Sequence, residues 1–368
     1  MSPTYRALFC DLRSDQVIDA LPLTGLTFDD YIGKPGSLSG TIPVPNEELA
    51  RRALKVVPAR TAVWLERDGD IWWGGIVWTA TRTGPARGGP AGLEIQAATW
   101  DSYLDHRIVF ETQTFTDRDQ FDVVRDVVTW AQTQAGGHLD IVLDWSKLSG
   151  VRRDLKIDHH DLPRVGELLT RFAEMDDGFE WRMASYRDPT TGRRIKELQL
   201  GHPRIVGGSA DIVLDFPGSV LSYSYPEDGT GRATHWQSRG ASLNENQAEV
   251  SYPQMSELHT VPDGIGAGWP RLDGSSDHST VENSVTLEAH AIADLNRAWT
   301  QHTIPEVTVR LDGRITPALL GARVRLRVRD VWYPGGFDRG YRIVGMSVTP
   351  PDRGQAETAR LFLEEEVG

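Results

Sequence analysis

The amino-acid sequence predicts an α+β protein that is mainly β. Short runs of β-branched and aromatic residues, separated by turn residues, occupy both ends of the chain. Helical periodicity is confined to the middle and to one later segment. Hydrophobic residues make up 39% of the chain and charged residues 25%, as in ordinary globular proteins. Because 368 residues exceed one ordinary core, we expect two to four domains or subdomains.

The strongest strand pattern is the segment Thr61–Thr83, which we interpret as a hairpin. Asp68–Gly69 separates two β-branched and aromatic runs, and a tight hairpin turn needs the positive φ that these residue types tolerate. Gly74–Gly75 interrupts the second run, which indicates a bulge or the close approach of another backbone. We therefore predict a long scaffold hairpin, bent at the glycine pair, without catalytic residues. It contains four of the 12 tryptophans, Trp64, Trp72, Trp73 and Trp78.

The segments around this hairpin also favour strands. Residues 5–45 predict short strands with turns between them, and LEIQAATW at 93–100 predicts another strand that leads into DSYLDHRIVF. A brief amphipathic helix is predicted before the hairpin, with Asn46 as its N-cap and its end before Pro58. The single cysteine, Cys10, excludes an intramolecular disulfide and a cysteine zinc site, and is interpreted as an apolar strand residue.

Two helices are predicted in the middle of the chain. The first is expected to begin with Thr116 as its cap, since Asp119 follows three residues later. The second is expected to begin at Asp161, with Pro163 in its first turn, and to end at Gly178. Each helix has one apolar face. These faces contain Phe121, Val124, Val128 and Ala131 in the first helix, and Val165, Leu168, Leu169 and Phe172 in the second.

Strand patterns return after the second helix. Residues 253–280 are rich in Gly, Pro, Ser and Asp and are interpreted as a connector without a core. A third helix is predicted over roughly Val281–Gln301, with its end before Pro305. Three or four further strands are predicted over the remaining residues. The apolar residues assigned to the third helix are Val285, Leu295, Ala298 and Trp299.

The clearest two-residue alternation lies on a C-terminal strand, GARVRLRVRDVWY. Val324, Leu326 and Val328 fall on one of its faces. In one interpretation the opposite face is solvated and balanced by Glu364–Glu366 on a neighbouring strand. In the other it contacts another subunit or a partner, since arginine is enriched in interfaces. This opposite face carries Arg323, Arg325, Arg327 and Arg329.

The overall charge excludes some classes of function. With a net charge of −13 and a pI of about 5.3, the chain is not expected to bind DNA or RNA in a sequence-general way, which needs a basic surface. No apolar run is long enough for a transmembrane helix, and the N-terminus lacks a basic segment followed by an apolar one. We therefore expect neither a membrane anchor nor a signal peptide.

The signatures of common catalytic and cofactor sites are absent from the sequence. They include GxSxG, the Walker A loop, HExxH and the EF-hand loop. GIGAG at Gly264–Gly268 lacks the flanking strand and helix of a dinucleotide site and is interpreted as a loop. The sequence therefore predicts no catalytic residue, no cofactor and no metal, and a protein that is not an enzyme.

Two polar clusters offer weaker hypotheses. The segment DHHDLP, residues 158–163, could supply metal ligands, but its neighbouring side chains are expected to point apart. Helix capping by Asp161, with solvated histidines, is favoured there. Asp273, Asp277 and His278 could indicate a calcium loop or a Ser-His-Asp cluster. A solvated loop is favoured, since loops are built from the same residue types.

Several of these segments, taken in order, resemble hub proteins of bacteriophage tail tips. They are the Asp-Gly hairpin with WWGGIVWTATRT, the segment LEIQAATWDSYLDHRIV, and the two helices followed by GFEWR. The sequence is similar to the Gp37-like minor tail proteins of siphoviruses that infect actinobacteria, and more distantly to baseplate hubs of contractile tails. The resemblance is strongest over about 1–185 and 300–368. The excess of arginine over lysine fits such a host.

The resemblance implies two barrel-like tube domains with helical or mixed domains inserted, forming a ring. Such hubs are non-enzymatic homotrimers that join the hexameric tail tube to the threefold tip and line the DNA channel. The division expected here begins with a first tube domain over 1–110 and a helix-containing middle domain over 111–184. A second tube domain combines 185–255 with the C-terminal strands 306–368, and 256–305 holds the connector and helix.

The resemblance also implies a location and partners. The location is the tail tip of the virion, after synthesis in the host cytoplasm. The partners are further copies of the chain, the distal tail or tail-tube protein above, tip or fibre proteins below, and the tape-measure protein. DNA would pass through the ring without specific binding, which suits a negative chain. Since the chain stops at EEEVG without a long extension, wall cleavage or receptor binding is expected from another protein.

Two other functions stay open at this point. The nearest is a hub or spike component of another contractile injection machine, because the folds are similar. The second is a carbohydrate-active β-rich enzyme that would use its tryptophans for stacking on sugars.

Overall fold

The protein is mainly β, with 47% of its residues in strands and 18% in helices, as the sequence predicts. It forms two compact units, Met1–Ser224 with Glu306–Gly368, and Tyr225–Pro305. Among the helices that the structure describes, none is both long and apolar enough to cross a membrane. The computed structural model describes residues 3–84, 91–242, 252–261, 264–279, 281, 283–299, 305–311, 314–352 and 354–365.

The first unit begins with strands and one short helix. Asn46 caps this helix, since its side chain accepts a hydrogen bond from the Leu49 amide at 2.9 Å. The elements are β1 (Tyr5–Asp11), β2 (Val17–Leu21), β3 (Thr24–Tyr31), β4 (Ser37–Val44), α1 (Glu47–Ala53), β5 (Thr61–Arg67), β6 (Asp70–Thr83) and β7 (Ala91–Thr99).

A mixed layer of helices and short strands follows. After β7 the chain turns into a 3-10 helix over Trp100–His106 instead of continuing as a strand. The next elements are β8 (Gln113–Asp119), α2 (Gln120–Thr133), β9 (Ile141–Leu143), β10 (Arg152–Ile157), α3 (Val165–Ala173), β11 (Glu180–Arg187) and β12 (Arg194–Gly201). β8 pairs with β10, and β11, β12 and β9 form a second small sheet.

The starts of α2 and α3 differ from the sequence prediction. Thr116 is not a helix cap, because it belongs to β8, which pairs with β10. Asp119 is the cap, and its side chain accepts the amide hydrogen of the second helical residue. Asp161 lies in a 3-10 turn and Leu162 has a φ of +48°, so α3 begins only at Val165. The predicted apolar faces of both helices are buried.

The remaining strands belong to both units. In chain order they are β13 (Gly207–Phe216) and β14 (Val220–Ser224), then in the second unit β15 (His235–Ser242), β16 (Pro253–Met255), β17 (His259–Thr260), β18 (Asp273–Asp277) and helix α4 (Ser284–Trp299). The first unit resumes with β19 (Glu306–Arg310), β20 (Ala322–Val328), β21 (Phe337–Thr349) and β22 (Thr358–Glu365).

Thirteen strands of the first unit form one continuous sheet. Its main path is β14-β19-β22-β21-β3-β4-β7-β6-β5-β1-β2, and β13 joins through β20, which pairs with β21. The long β21 connects two halves, because its first residues pair with β20 and its later residues with β3. Over the described residues the path has two ends and no closed barrel. The two predicted barrels are therefore corrected to two halves of an open sheet.

The segment Thr61–Thr83 is the β5–β6 hairpin. Asp68–Gly69 forms its turn with φ values of +52° and +98°, the positive values that a primed turn requires. Gly74–Gly75 is not a bulge, contrary to one of the two predictions for it. The irregular positions lie on either side, at Leu65/Glu66 in the pairing with β5 and at Val77/Thr79 in the pairing with β7. Bending of the hairpin is thus assigned to these bulges.

Close approach is the reason for the glycine pair. A Cβ atom on Gly75 would lie 2.1 Å from the carbonyl oxygen of Ala98. One on Gly74 would lie 2.8 Å from the rings of both Trp64 and Trp100. A side chain at either position would displace its neighbours, so the packing of the indoles requires glycine here.

A hydrophobic core joins the first half of the sheet to the mixed layer. Trp64 and Trp100 are fully buried, with ring centroids 4.7 Å apart. Residues of α2, α3, β11 and β12 complete this core. Trp73 is buried and its Nε1 donates to the Asp29 carbonyl at 2.9 Å, while Trp72 packs under the Arg67 guanidinium at 4.5 Å. The hairpin is therefore a scaffold element, covered on both faces over most of β5.

The second unit is a small sheet covered by a helix. β15 pairs with β16, β17 and β18, so the predicted connector 253–280 contains strands of a folded unit. The predicted domain boundary at 255/256 falls inside this unit. Helix α4 begins at Ser284, and Gln301, its predicted end, lies outside the described residues. Leu287, Ala291 and Leu295 form its buried face, whereas the predicted core residue Val285 is exposed.

Candidate functional site: the outward face of the long sheet

One face of the first half of the sheet is built from small polar side chains. Pairing places Thr27, Ser39, Gln96 and Thr79 in one row across β3, β4, β7 and β6. A second row contains Thr24, Thr41, Glu94 and Thr81. We call these eight residues, together with Ser37, the hydroxyl face. The residues are exposed or half-buried.

Several hydroxyls of this face bind one another or the backbone. Thr27 Oγ1 and Ser39 Oγ are 2.9 Å apart, and Ser37 Oγ donates to Asp29 Oδ2 at 2.9 Å. Thr24 Oγ1 donates to the Thr41 carbonyl at 3.2 Å. Such cross-strand pairs stabilise a sheet and fix its register. The hydroxyl face is therefore an ordered surface.

The charge of the hydroxyl face is low. Glu94 is its one ionisable residue, and Asp29 adjoins it. The alternate residues of the same strands are buried, including Phe28, Leu38 and Ile95. A surface with no arginine or lysine cannot hold phosphate groups by ion pairing.

The second half of the sheet presents arginines instead. On β20 the alternation is regular: Val324, Leu326 and Val328 are buried, as predicted. The side chains that alternate with them are exposed, and Arg329, the residue after β20, is exposed too. We call this set, Arg323, Arg325, Arg327 and Arg329, the arginine face.

Two arginines of the arginine face, Arg325 and Arg327, pair with an aspartate that was not named as their partner from the sequence. Arg325 Nε lies 2.6 Å from Asp338 Oδ1, and Arg327 Nε 3.5 Å from Asp338 Oδ2. Asp338 is on β21, directly beside β20. Glu364 and Glu365 of the predicted Glu364–Glu366 bind other arginines, and Glu366 lies outside the described residues. A neighbouring strand thus balances Arg325 and Arg327, as one interpretation of the sequence expected. The role of the arginine face as a subunit interface stays a prediction.

A buried ion cluster lies at the start of β21. Arg342 is 4% exposed. Its guanidinium binds Glu180 through both terminal nitrogens, Glu364 Oε2 at 2.7 Å and the Ile205 carbonyl at 3.1 Å. Burial opposes the charge of Arg342, but the bonds to both glutamates outweigh it and raise its pKa. This cluster ties the second half of the sheet to β11.

Two buried carboxyls in the first half were not singled out from the sequence. Asp101, in the 3-10 helix, is 4% exposed, and its Oδ1 accepts no hydrogen bond among the described residues. Burial raises its pKa to about 7. Asp30 of β3 is also buried, and burial raises its pKa to about 6 against the opposing effect of Arg182. The Arg182 Nη2 to Asp30 Oδ2 distance of 3.8 Å explains why the pairing is weak.

The segment considered as a calcium loop or a Ser-His-Asp cluster, in the second unit, makes structural contacts instead. His278 Nε2 is 2.9 Å from Asp294 Oδ2, and Ser276 Oγ donates to the same oxygen at 2.7 Å. A nucleophile triad needs histidine between serine and carboxylate, whereas here the carboxylate lies between the other two. Asp273 and Asp277 lie on β18 and pair with arginines. The bonds of His278 and Ser276 to Asp294 hold α4 against the sheet.

The histidine pair was expected to point apart, and this is wrong. The His159 and His160 rings have centroids 3.9 Å apart, and with Asp158 they offer metal-ligand atoms within 4.8 Å of one another. Asp158, not Asp161, caps this turn by accepting the His160 amide at 3.1 Å. Lys156 Nζ lies 3.0 Å from the other Asp158 oxygen, in competition with a cation. Gly264–Gly268 is a turn, not a nucleotide loop.

No family model matches the chain, and no curated protein matches its sequence. Solved structures do match its fold. A tail protein from Neisseria meningitidis MC58 superposes over 98% of this chain and 97% of its own, with a TM-score of 0.60 and 14% identity. The 43 kDa tail protein of prophage MuSo2 from Shewanella oneidensis superposes over 97% of this chain and 98% of its own, with a TM-score of 0.62 and 11% identity. The chain has the fold of phage tail proteins.

A further solved structure shares the same fold. A chain of the Francisella PdpA-VgrG complex matches 99% of this chain and 58% of its own length, with a TM-score of 0.57 and 11% identity. At such low identity the likeness concerns the fold. The more specific resemblance to Gp37-like proteins of actinobacterial phages stays a prediction.

Proposed function

We propose that this protein is a structural hub of a phage tail tip or baseplate. Three copies form a ring that joins the hexameric tail tube to the threefold tip. The observation that carries the proposal is the whole-chain match in fold to two tail proteins, one of them from a prophage. Both halves of the sheet and the mixed layer take part in that match, since it covers at least 97% of this chain.

The hydroxyl face is the surface that we assign to the channel. DNA carries one charge per phosphate, and its transit requires a wall that does not bind it. Rows of Ser, Thr and Gln offer hydration without fixed positive charge, and Glu94 adds weak repulsion. The net charge of −13 acts in the same direction.

Ring closure is assigned to the ends of the long sheet. β2 and β14 end its main path, and β13 ends the branch through β20. An unpaired strand edge is a template for another strand. Pairing of β2 in one copy with β14 in the next would remove these two edges and make a cyclic, head-to-tail interface. This supports a ring in preference to a symmetric dimer.

The hub is proposed to act without catalysis, in the virion tail tip after synthesis in the host cytoplasm. Its proposed neighbours are the distal tail or tube protein, the tip or fibre proteins and the tape-measure protein. The alternative of a carbohydrate enzyme keeps Trp145, Trp269 and Trp332 as exposed candidates for sugar stacking, but loses the most buried tryptophans. Trp64, Trp73 and Trp100 are at most 1% exposed.

A hub of another injection machine is the second candidate. It is favoured by the match to the PdpA-VgrG complex. Genome neighbourhood separates the two, because a tape-measure gene beside this gene indicates a phage tail.

Mass photometry and negative-stain microscopy of the purified protein test the proposal. We expect closed rings of three copies with a central channel. The fraction of chains in such rings should increase with protein concentration. Antibodies against the protein should then label one end of isolated tails. Dimers as the highest stable species, or labelling absent from the tail tip, would overturn it.

A further inference from the structure

A cavity of about 490 Å³ is lined by residues that belong neither to the hydroxyl face nor to the arginine face. Its wall contains the β1–β2 turn, the residues before β9 and the start of β12. These segments are remote in sequence, and the fold of the first unit brings them together. In these segments basic residues outnumber acidic ones, although the whole chain is acidic. The charged residues are Arg13, Asp15, Asp140, Arg193, Arg194 and Lys196.

Lys196 forms the floor of this cavity. It is 3% exposed, and its Nζ donates to the Leu139 carbonyl at 2.6 Å and lies 4.7 Å from the Trp100 ring centroid. It makes no salt bridge within the part of the chain that the structure describes. An ammonium group has three N–H donors, so the carbonyl leaves donor capacity toward the cavity. Burial lowers the pKa of Lys196, which reflects the cost of this arrangement.

The remaining charges leave the cavity positive. Asp15 is already engaged, since its carboxylate accepts from Arg194 Nε at 2.9 Å and from Trp64 Nε1 at 2.7 Å. At the rim, Asp140 Oδ2 lies 3.3 Å from Arg193 Nη2, and both side chains are exposed. Four cationic side chains thus face two carboxylates, an excess of two positive charges.

We propose that this cavity binds a phosphate-type oxyanion, with Lys196 at its floor and Arg13 and Arg193 at its rim. Ammonium and guanidinium groups give short, charge-assisted hydrogen bonds to phosphate oxygens. The anion would neutralise the excess charge and give the buried ammonium an ionic partner. The proposal is independent of the tail-hub function.

Isothermal titration with inorganic phosphate and with glycerol phosphate tests it, in chloride buffer of matched ionic strength. We expect saturable binding of one molecule per chain. Tighter binding of inorganic phosphate would indicate that the natural ligand is the free ion, and tighter binding of glycerol phosphate that it is a phosphate ester. Lys196→Met should weaken binding at least roughly tenfold, the loss expected for one hydrogen bond to a charged group.

Lys147→Met is the matched control, because Lys147 is 71% exposed in its side chain and lies outside this cavity. It should bind as the wild type does. If Lys196→Met does not fold, Arg13→Ala with Arg193→Ala answers the same question, since both side chains are exposed. Absence of saturable binding to the wild type, or equal binding by the cavity variants and the control, would overturn the proposal.

Discussion

The two halves of the long sheet share one backbone pattern and differ in the chemistry of their outward side chains. In the first half the outward rows are Ser, Thr and Gln, with Glu94 as their one ionisable residue. In the second half β20 alternates Arg with Val and Leu. Both patterns bury one face equally well. The difference teaches that the buried rows determine the fold and leave the exposed rows free for function.

Buried charges differ between the halves as well. Asp30 and Asp101, beside the first half, have raised pKa values because burial dominates, and Arg182, 3.8 Å from Asp30, opposes the effect on that residue only in part. Arg342, in the second half, binds two carboxylates. Stability of the first half should therefore respond to pH near neutrality, whereas Arg342, whose pKa is raised by its bonds to both glutamates, stays ionised across that range.

The largest effect is expected from breaking the hairpin beneath the first half. Gly75→Val places a Cβ atom 2.1 Å from the Ala98 carbonyl oxygen, so β6 cannot keep its pairing with β7. We expect a loss of more than about 4 kcal/mol in the free energy of unfolding, or failure to fold. Urea denaturation measures it. Gly84→Val is the control, because a Cβ there meets nothing within 4 Å, and an equal loss in both variants would contradict the explanation.

The second test removes the buried cation of the second half. Arg342→Met leaves Glu180 and Glu364 without their shared partner, and we expect a loss of about 3 kcal/mol. Thermal and urea unfolding report the change. The comparison variant is Arg325→Met on the adjacent strand, whose exposed pair with Asp338 should contribute less than about 1 kcal/mol. Similar losses of stability in the two variants would contradict the claim that the buried ion pairs contribute more than the exposed one.

The third test concerns pH. The Asp101 carboxyl has a pKa of about 7 in the folded protein and about 3.9 when unfolded, so the folded state binds more protons between these values. The free energy of unfolding should therefore fall as pH rises from about 4 to about 7. Asp101→Asn should reduce the fall between pH 5 and pH 8 by about 2 kcal/mol. Urea titrations at the two pH values measure it.

The control for the pH test is Glu94→Gln on the exposed hydroxyl face. It should leave the difference between the two pH values as in the wild type. A wild-type protein that is more stable at pH 8 than at pH 5, with the same slope in Asp101→Asn, would contradict the assignment.

The smallest effect is expected at the arginine face. Replacing Arg325 and Arg327 by Ser removes exposed ion pairs to Asp338 and should change stability by less than about 1 kcal/mol. If these arginines are only the solvated side of β20, mass photometry will show an unchanged oligomer. Dissociation of the oligomer in this variant would indicate instead that they form a subunit interface.

Local chemistry explains what the sequence could predict. The Asp68–Gly69 turn follows from the positive φ that the turn needs, and the β20 pattern follows from the two-residue period of a strand. The apolar faces of α2 and α3 follow from the helical period in the same way. Each of these features depends on residues close together in the chain.

Long-range pairing explains what the sequence could not predict. Thr116 resembles a helix cap, but β8 pairs with β10, more than 30 residues later. The connector 253–280 gains its strands only by pairing with β15. The hydroxyl face was missed because its rows combine four strands, although the alternation of Ser and Thr in SLSGT is a visible signal. The cavity around Lys196 joins segments that no motif links.

The most direct test of the central claim, that copies of this chain surround a DNA channel with the hydroxyl face inward, is a cryo-electron microscopy reconstruction of the proposed ring. We predict that Ser39, Gln96 and Thr79 face the channel and that the arginine face lies away from it. A channel lined by Arg325 and Arg327, or a hydroxyl face buried against another protein, would contradict the account.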